Sequence, residues 1–267
     1  DTFLSIVLGV SPKIFVMENV RGLLSKKHPN GGTYPEQIEN LISKKYNFTF
    51  FLFNSIEYSL PQTRQRYLLI GTKKAIDEDG KLLQELVLNI EMQKSNPRKT
   101  LRDAIGDLPR LEPNIGADEL KIEGRKVIYN HKALRHSDEL KTRFSHVPPG
   151  GGLLDVPEEL LTPHLRKMKN GSYGSGGHVK NIYGRMDWGK PSGTIVAGID
   201  KITCGRYVHP EENRLITPRE CARIQSFPDW FRFKGSNVTQ YYLIGNAVPP
   251  KLSKVLAKSI LASLKDT

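Results

Sequence analysis

The strongest constraint lies in the first 72 residues, where three strand-like runs are joined by one helix-length and one turn-length connection. "PKIFVMENVRG" predicts a strand over 13–17 that stops at Glu18. A loop rich in Gly, Pro and Asn follows, and then "PEQIENLISKKY", with Ile38, Leu41 and Ile42 at helical spacing and Pro35 in the first turn. "FTFFLFNS" and "RYLLIGT" predict two more strands around a turn at Leu60-Pro61. Strands linked through a helix point to a parallel sheet and an α/β class; the last pair, with its short connection, can close antiparallel.

Length and composition agree. The 267 residues suffice for one large domain or two modest ones, and 38% hydrophobic with 25% charged is ordinary globular chemistry. No apolar run approaches the roughly 18 residues of a membrane helix, so no membrane role is expected. "DTFLSIVLGV" lacks a basic start and a small-residue cleavage site; it reads as a core helix rather than a signal peptide. The chain starts at Asp1, which suggests material upstream. Two cysteines form no disulfide framework, so a reducing compartment is the default. The net charge of +12 supports a polyanionic partner, although a merely basic surface has the same count.

Texture changes after residue 95. "TLRDAIGDLPRLEP" predicts a short helix stopped at Gly106. From 113 to about 200, "HVPPGGG", "NGSYGSGGH" and "GRMDWGKPSG" predict a loop-rich, mostly β segment. "TPRECARIQSF" signals a helix with Thr217 as cap, Pro218 at its first position and Glu220 closing a capping box. Residues 250–264 form an amphipathic closing helix with Leu252, Val255, Leu256, Ile260 and Leu264 on one stripe.

Several residues could carry chemistry, each with a plainer alternative. Glutamate is almost never buried without a partner. Glu18 and Asn19 stand where open α/β sheets bind ligands if 13–17 is a central strand; the alternative is a local cap. Arg64 and Arg66 share a face by alternation and suit an anionic or carbonyl-rich ligand, or form a solvated edge pair. Gly245 in "IGNAVPP" permits an unusual angle or a close approach, or simply a tight turn. Cys204 and Cys221 lack an activating setting and read as structural. The histidines and cysteines show no metal-ligand spacing, so no metal is expected.

The order of these signals is more specific than any one of them. "ENV", "QTRQR", a variable basic segment, "RLITPRECARIQSFPD" and "IGNAVPP" resemble the sixth, eighth, ninth and tenth motifs of the DNA cytosine-5 methyltransferases of bacterial restriction-modification systems. The resemblance covers nearly the whole chain. It implies part of a Rossmann-like S-adenosylmethionine-dependent methyltransferase sheet over 1–95, a target recognition domain and hinge over 96–240, and a segment over 241–267 returning to the catalytic domain. It implies duplex DNA as partner, a flipped cytosine, and a bacterial cytoplasmic setting. Glu18 is carried over as the contact to ring nitrogen 3 and the exocyclic amine, with a carboxyl pKa raised by its strand-end site. Arg66 becomes the donor to the base carbonyl, Arg64 its companion near a phosphate, and Asn246 and Ala247 part of the cofactor pocket. Phosphate contacts are expected from Lys121, Arg125, Lys126, Lys132, Arg135, Lys141, Arg143, Arg166, Lys167, Lys169, Lys180 and Arg185.

The chain departs from the family at its start. The family's Pro-Cys nucleophile lies upstream of the glutamate motif, yet only 17 residues precede Glu18 and none is cysteine. The Gly-rich cofactor loop is missing as well. The chain is therefore expected to be the C-terminal portion of such an enzyme and inactive alone. Alternatives are a subunit of a split methyltransferase, whose partner carries the nucleophile, and a non-catalytic DNA-binding protein.

Overall fold

The computed structural model describes residues 2–95, 98–112, 115–121, 127–171 and 179–265. The chain divides into two compact units, the first comprising Asp1–Tyr58, Gln65–Asn96 and Lys251–Thr267, the second Ser59–Arg64 and Pro97–Pro250.

The first unit is built on a sheet of β1 (Ile14–Val20), β2 (Tyr46–Asn54) and β3 (Gln65–Lys73) in the order β1-β3-β2. Both pairings are antiparallel. β1 and β2 therefore run parallel, as their helical connection requires, but β3 sits between them, and the expected adjacent parallel pair does not form. Strand parity divides the sheet cleanly. Phe15, Tyr46 and Leu69 face helices α1 (Thr2–Val10) and α2 (Tyr34–Ile42), burying Leu4, Val7, Ile38 and Ile42 in one cluster. α2 begins where the sequence signals it, with Thr33 and Glu36 closing a capping box and a proline in the first turn. On the other face lie buried Phe51, Phe53, Leu68 and Ile70, covered by α3 (Lys81–Glu91).

The closing helix α9 (Pro250–Ser263) differs from the expected stripe. Its buried residues are Leu252, Val255, Ser259 and Ser263, while Ile260 and Leu264 are only partly covered. The two serines face α3: Gln93 donates to Ser259 Oγ at 2.7 Å and Asn89 to Ser263 Oγ at 2.9 Å. Small hydroxyl residues bring the helices close and satisfy two amides.

The second unit packs around α7 (Pro218–Ile224), against which α4 (Leu101–Ile105), β5 (Ile128–Lys132) and α8 (Asn237–Asn246) rest. The expected mostly β character is corrected. Among the described residues its one regular sheet is the hairpin β4 (Gly116–Leu120) with β5, accompanied by α5 (Asp138–Ser145) and α6 (Pro163–Lys169). Both helices start at caps that weak periodicity had hidden, with Ser137 accepting from Leu140 N–H and Thr162 from Leu165 N–H. Most of "NGSYGSGGH" falls outside the described residues.

Candidate functional site

β1 does not stop at Glu18; it continues to Val20, and Glu18 lies within the ladder opposite Leu68. Val20 faces Arg66 in the same register. Directly opposed residues share a face, and residues two apart on one strand do too, so Glu18 and Arg66 are diagonal neighbours on one face. Arg66 Nε lies 3.0 Å from Glu18 Oε1, with the two side chains 15% and 23% exposed. Arg66 Nη1 also donates to its neighbour's carbonyl, Gln65 O, at 2.8 Å. A half-covered carboxylate and a guanidinium on adjacent strands can address neighbouring acceptor and donor atoms of one planar ligand.

Arg64 lies outside that pair. β3 begins at Gln65, so alternation does not extend to Arg64. Arg64 belongs to the second unit, where Nη1 donates to Ile195 O at 3.0 Å and Gly245 O at 3.4 Å. It is 5% exposed, which makes its guanidinium a fastener of backbone carbonyls rather than a surface cation. Gly245 explains its own identity: an added Cβ would meet Ala197 N and the Val196 carbonyl carbon at 2.2 Å. Close approach, not a special backbone angle, requires the glycine.

Asn246 and Ala247 end α8, the first exposed and the second half-buried. One amide and one methyl do not amount to a pocket for a sulfonium nucleoside. Among the described residues no group of three or more His, Cys, Asp or Glu side chains could hold a metal. Cys221 is fully buried, and burial pushes its thiol well above the ordinary value. Cys204 is exposed.

The motif around α7 is a buried electrostatic knot. Arg214 donates to Glu220 through both terminal nitrogens at 2.8 Å and to Glu212 at 2.9 Å. Burial alone would raise both carboxyls, but the hydrogen bonds and charge of Arg214 outweigh it and hold both below their ordinary values. His131 extends the knot. Its Nε2 must donate to the Pro109 carbonyl at 3.0 Å, so its Nδ1 accepts the Thr217 hydroxyl at 2.9 Å. Arg219, with no exposed surface, ties β5 to the turn beyond α7 through Tyr129 O and Pro228 O.

Two residues expected at phosphates are spent inside the second unit. Arg185 donates to Val147 O, His209 O, Glu212 O, Phe144 O and Asn213 Oδ1, and Arg143 to Leu160 O. Each is less than one-tenth exposed. Arg125 and Lys126 lie outside the described residues.

A profile of the C-5 cytosine-specific DNA methylase family matches residues 2–262, and the chain belongs to that family. It is 33% identical to the type II methyltransferase M.DdeI of Desulfomicrobium norvegicum, covering 97% of this chain and 65% of the relative. To the type II methylase M.HgiDII of Herpetosiphon aurantiacus it is 31% identical over 97% of this chain and 67% of the relative. The chain thus spans about two-thirds or less of the curated relatives it matches first. The solved S. pombe Dnmt2 methyltransferase shares the fold, with a TM-score of 0.57 at 13% identity, covering 98% of this chain and 71% of that one.

Proposed function

We propose that this chain forms the base-contacting part of a DNA methyltransferase that acts on carbon 5 of cytosine in duplex DNA. The observation that carries this reading is the Glu18–Arg66 pair, 3.0 Å apart on one sheet face, in a chain of the C-5 cytosine-specific family. A flipped cytosine presents its carbonyl, ring nitrogen 3 and exocyclic amine along one edge. Glu18 meets nitrogen 3 and the amine, and Arg66 the carbonyl, where negative charge develops as a nucleophile adds to the ring. S-adenosylmethionine supplies the methyl group when bound. The second unit serves as the target recognition domain, its exposed lysines and arginines holding phosphates while other side chains read base edges.

The test uses this chain together with a segment that carries the family's Pro-Cys motif, whether on the same polypeptide or on a partner. Glu18→Gln keeps the shape but cannot transfer a proton, and should lower kcat on the order of 10²–10⁴-fold while leaving DNA affinity nearly unchanged. Arg66→Ala should also lower kcat. Unchanged turnover per folded molecule, with only a lower Tm, would reduce Glu18 to a structural strand residue.

The 267-residue chain by itself should transfer no methyl group. Of its two thiols, Cys221 is sealed in the core, and the exposed Cys204 belongs to the second unit rather than to the unit that carries Glu18 and Arg66. Incubation with duplex DNA and labelled S-adenosylmethionine checks this; robust label in cytosine would return a thiol of this chain to the mechanism.

A further inference from the structure

The second unit contains a cavity of about 530 Å³ beyond the end of β5, within the range of small-ligand sites. Its lining is chemically lopsided. Ile115, Ala133 and Leu134 give an apolar patch, and Arg135 and Lys141 place two exposed cations on the wall. Arg214, also on the wall, is committed to Glu212 and Glu220. The opposing charge is Glu112, whose Oε1 accepts Asn213 N–H at 2.8 Å. Lys141 shares Asp138 at 3.6 Å in an exposed pair, which holds it weakly.

His136 adds a fixed donor. Its Nε2 accepts the Leu215 N–H at 3.2 Å, so a neutral ring carries its proton on Nδ1. Burial, helped by the nearby charges of Lys141 and Arg214, pushes its pKa down to about 4, and the ring is neutral at physiological pH. Phe144 packs edge-on against it with centroids 5.5 Å apart, which fixes the ring plane. No described group accepts from Nδ1. Two cations, one N–H donor and an apolar patch complement an anion with a flat, acceptor-bearing body.

We infer that this cavity binds a nucleotide, with its phosphate at Arg135 and Lys141, its base over Ile115, Ala133 and Leu134, and a base acceptor on His136 Nδ1–H. The net charge of +12 favours this anion class over an isolated carboxylate, because phosphate-bearing polymers are the partners such a charge selects. A free nucleoside monophosphate and a nucleotide unstacked from a DNA strand carry the same chemistry. The site uses neither Glu18 nor Arg66, so Glu18→Gln leaves it intact, and its failure would leave the base-contacting role of that pair standing.

Calorimetric titration tests it with the four deoxynucleoside monophosphates, inorganic phosphate, and two duplexes that differ by one bulged nucleotide. Binding of a monophosphate identifies a free nucleotide as the ligand, and binding of the bulged duplex in excess of the paired one identifies an unstacked nucleotide. Either supports the site, provided that Arg135→Gln with Lys141→Gln weakens it at least about tenfold, the loss expected for two charge-assisted contacts. Both residues are exposed, so the variant should fold normally. The His136 Nδ1 resonance should shift on binding. The proposal is overturned if inorganic phosphate binds as tightly as any nucleotide, if the double variant binds undiminished, or if neither nucleotide source binds up to about 1 mM.

Discussion

Arginine is the residue through which sequence and structure differ most. Arg66, Arg64, Arg185 and Arg214 are all cations in a basic chain, yet they do three different things. Arg66 is held at a half-covered carboxylate, Arg64 and Arg185 fasten backbone carbonyls, and Arg214 neutralises two buried glutamates. What separates them is burial and the partners within reach, neither of which the residue type reveals. Arg214→Met should cost about 3–5 kcal/mol in urea unfolding, because Glu212 and Glu220 would remain buried without a cation. Adding Glu220→Gln to that variant should recover part of the loss. A cost below about 1 kcal/mol for Arg214→Met would mean that water or a neighbour neutralises the knot.

At the scale of elements, two glycines show how the same residue type serves opposite ends. Gly9 sits in α1 with nothing within 4 Å of an added Cβ. Gly9→Ala should therefore stabilise the chain, by up to about 1 kcal/mol, through helix propensity. Gly245→Ala places a methyl into the backbone of residues 196–197, which cannot rotate away, and should destabilise by about 1–3 kcal/mol or more. Denaturant midpoints of the two variants, measured side by side, should move in opposite directions. A neutral Gly245→Ala would show that the close approach relaxes at no cost. Helices α2 and α7 were legible in advance because their signals are local: the spacing of Ile38 and Ile42 with Pro35 for α2, and Thr217 with Glu220 for α7, while the Thr33–Glu36 capping box of α2 emerged with the structure. α5 and α6 carry equally good caps, but their short, charged sequences lack a periodic apolar face.

For the whole molecule, three buried or half-buried histidines set the acid limit. His131, His136 and His209 all have lowered pKa values, with burial the largest cause in each. The unfolded chain protonates its histidines near pH 6.5, whereas the folded chain keeps these three neutral to lower pH. In that window the unfolded state binds more protons, so stability falls as pH drops from about 6.5 toward about 4. Glu212 and Glu220, held below their ordinary values, add a second loss below about pH 4.5 as the unfolded carboxylates protonate. Thermal melts should show Tm falling already between pH 7 and pH 5, above the range where carboxylates titrate. A flat Tm across that interval would mean that the histidines are solvated in the folded state.

The sequence by itself determined the α/β class of the first 72 residues, the helical spacing of α2, the cap of α7, the motif order that places the chain in its family, and Glu18 and Arg66 as residues to watch. All of these rest on near neighbours or on spacing along the chain. Only the tertiary structure decided that β3 enters between β1 and β2, which makes Glu18 and Arg66 diagonal neighbours rather than residues 48 positions apart in a list. It also decided that Arg64, Arg143 and Arg185 are interior fasteners, and that His136 carries its proton on Nδ1. The physical reason is common to all of them. Strand order, burial and hydrogen-bond partner are set by contacts between residues tens of positions apart, and a guanidinium or an imidazole takes its role from whichever carbonyl, carboxylate or N–H those contacts bring within 3 Å.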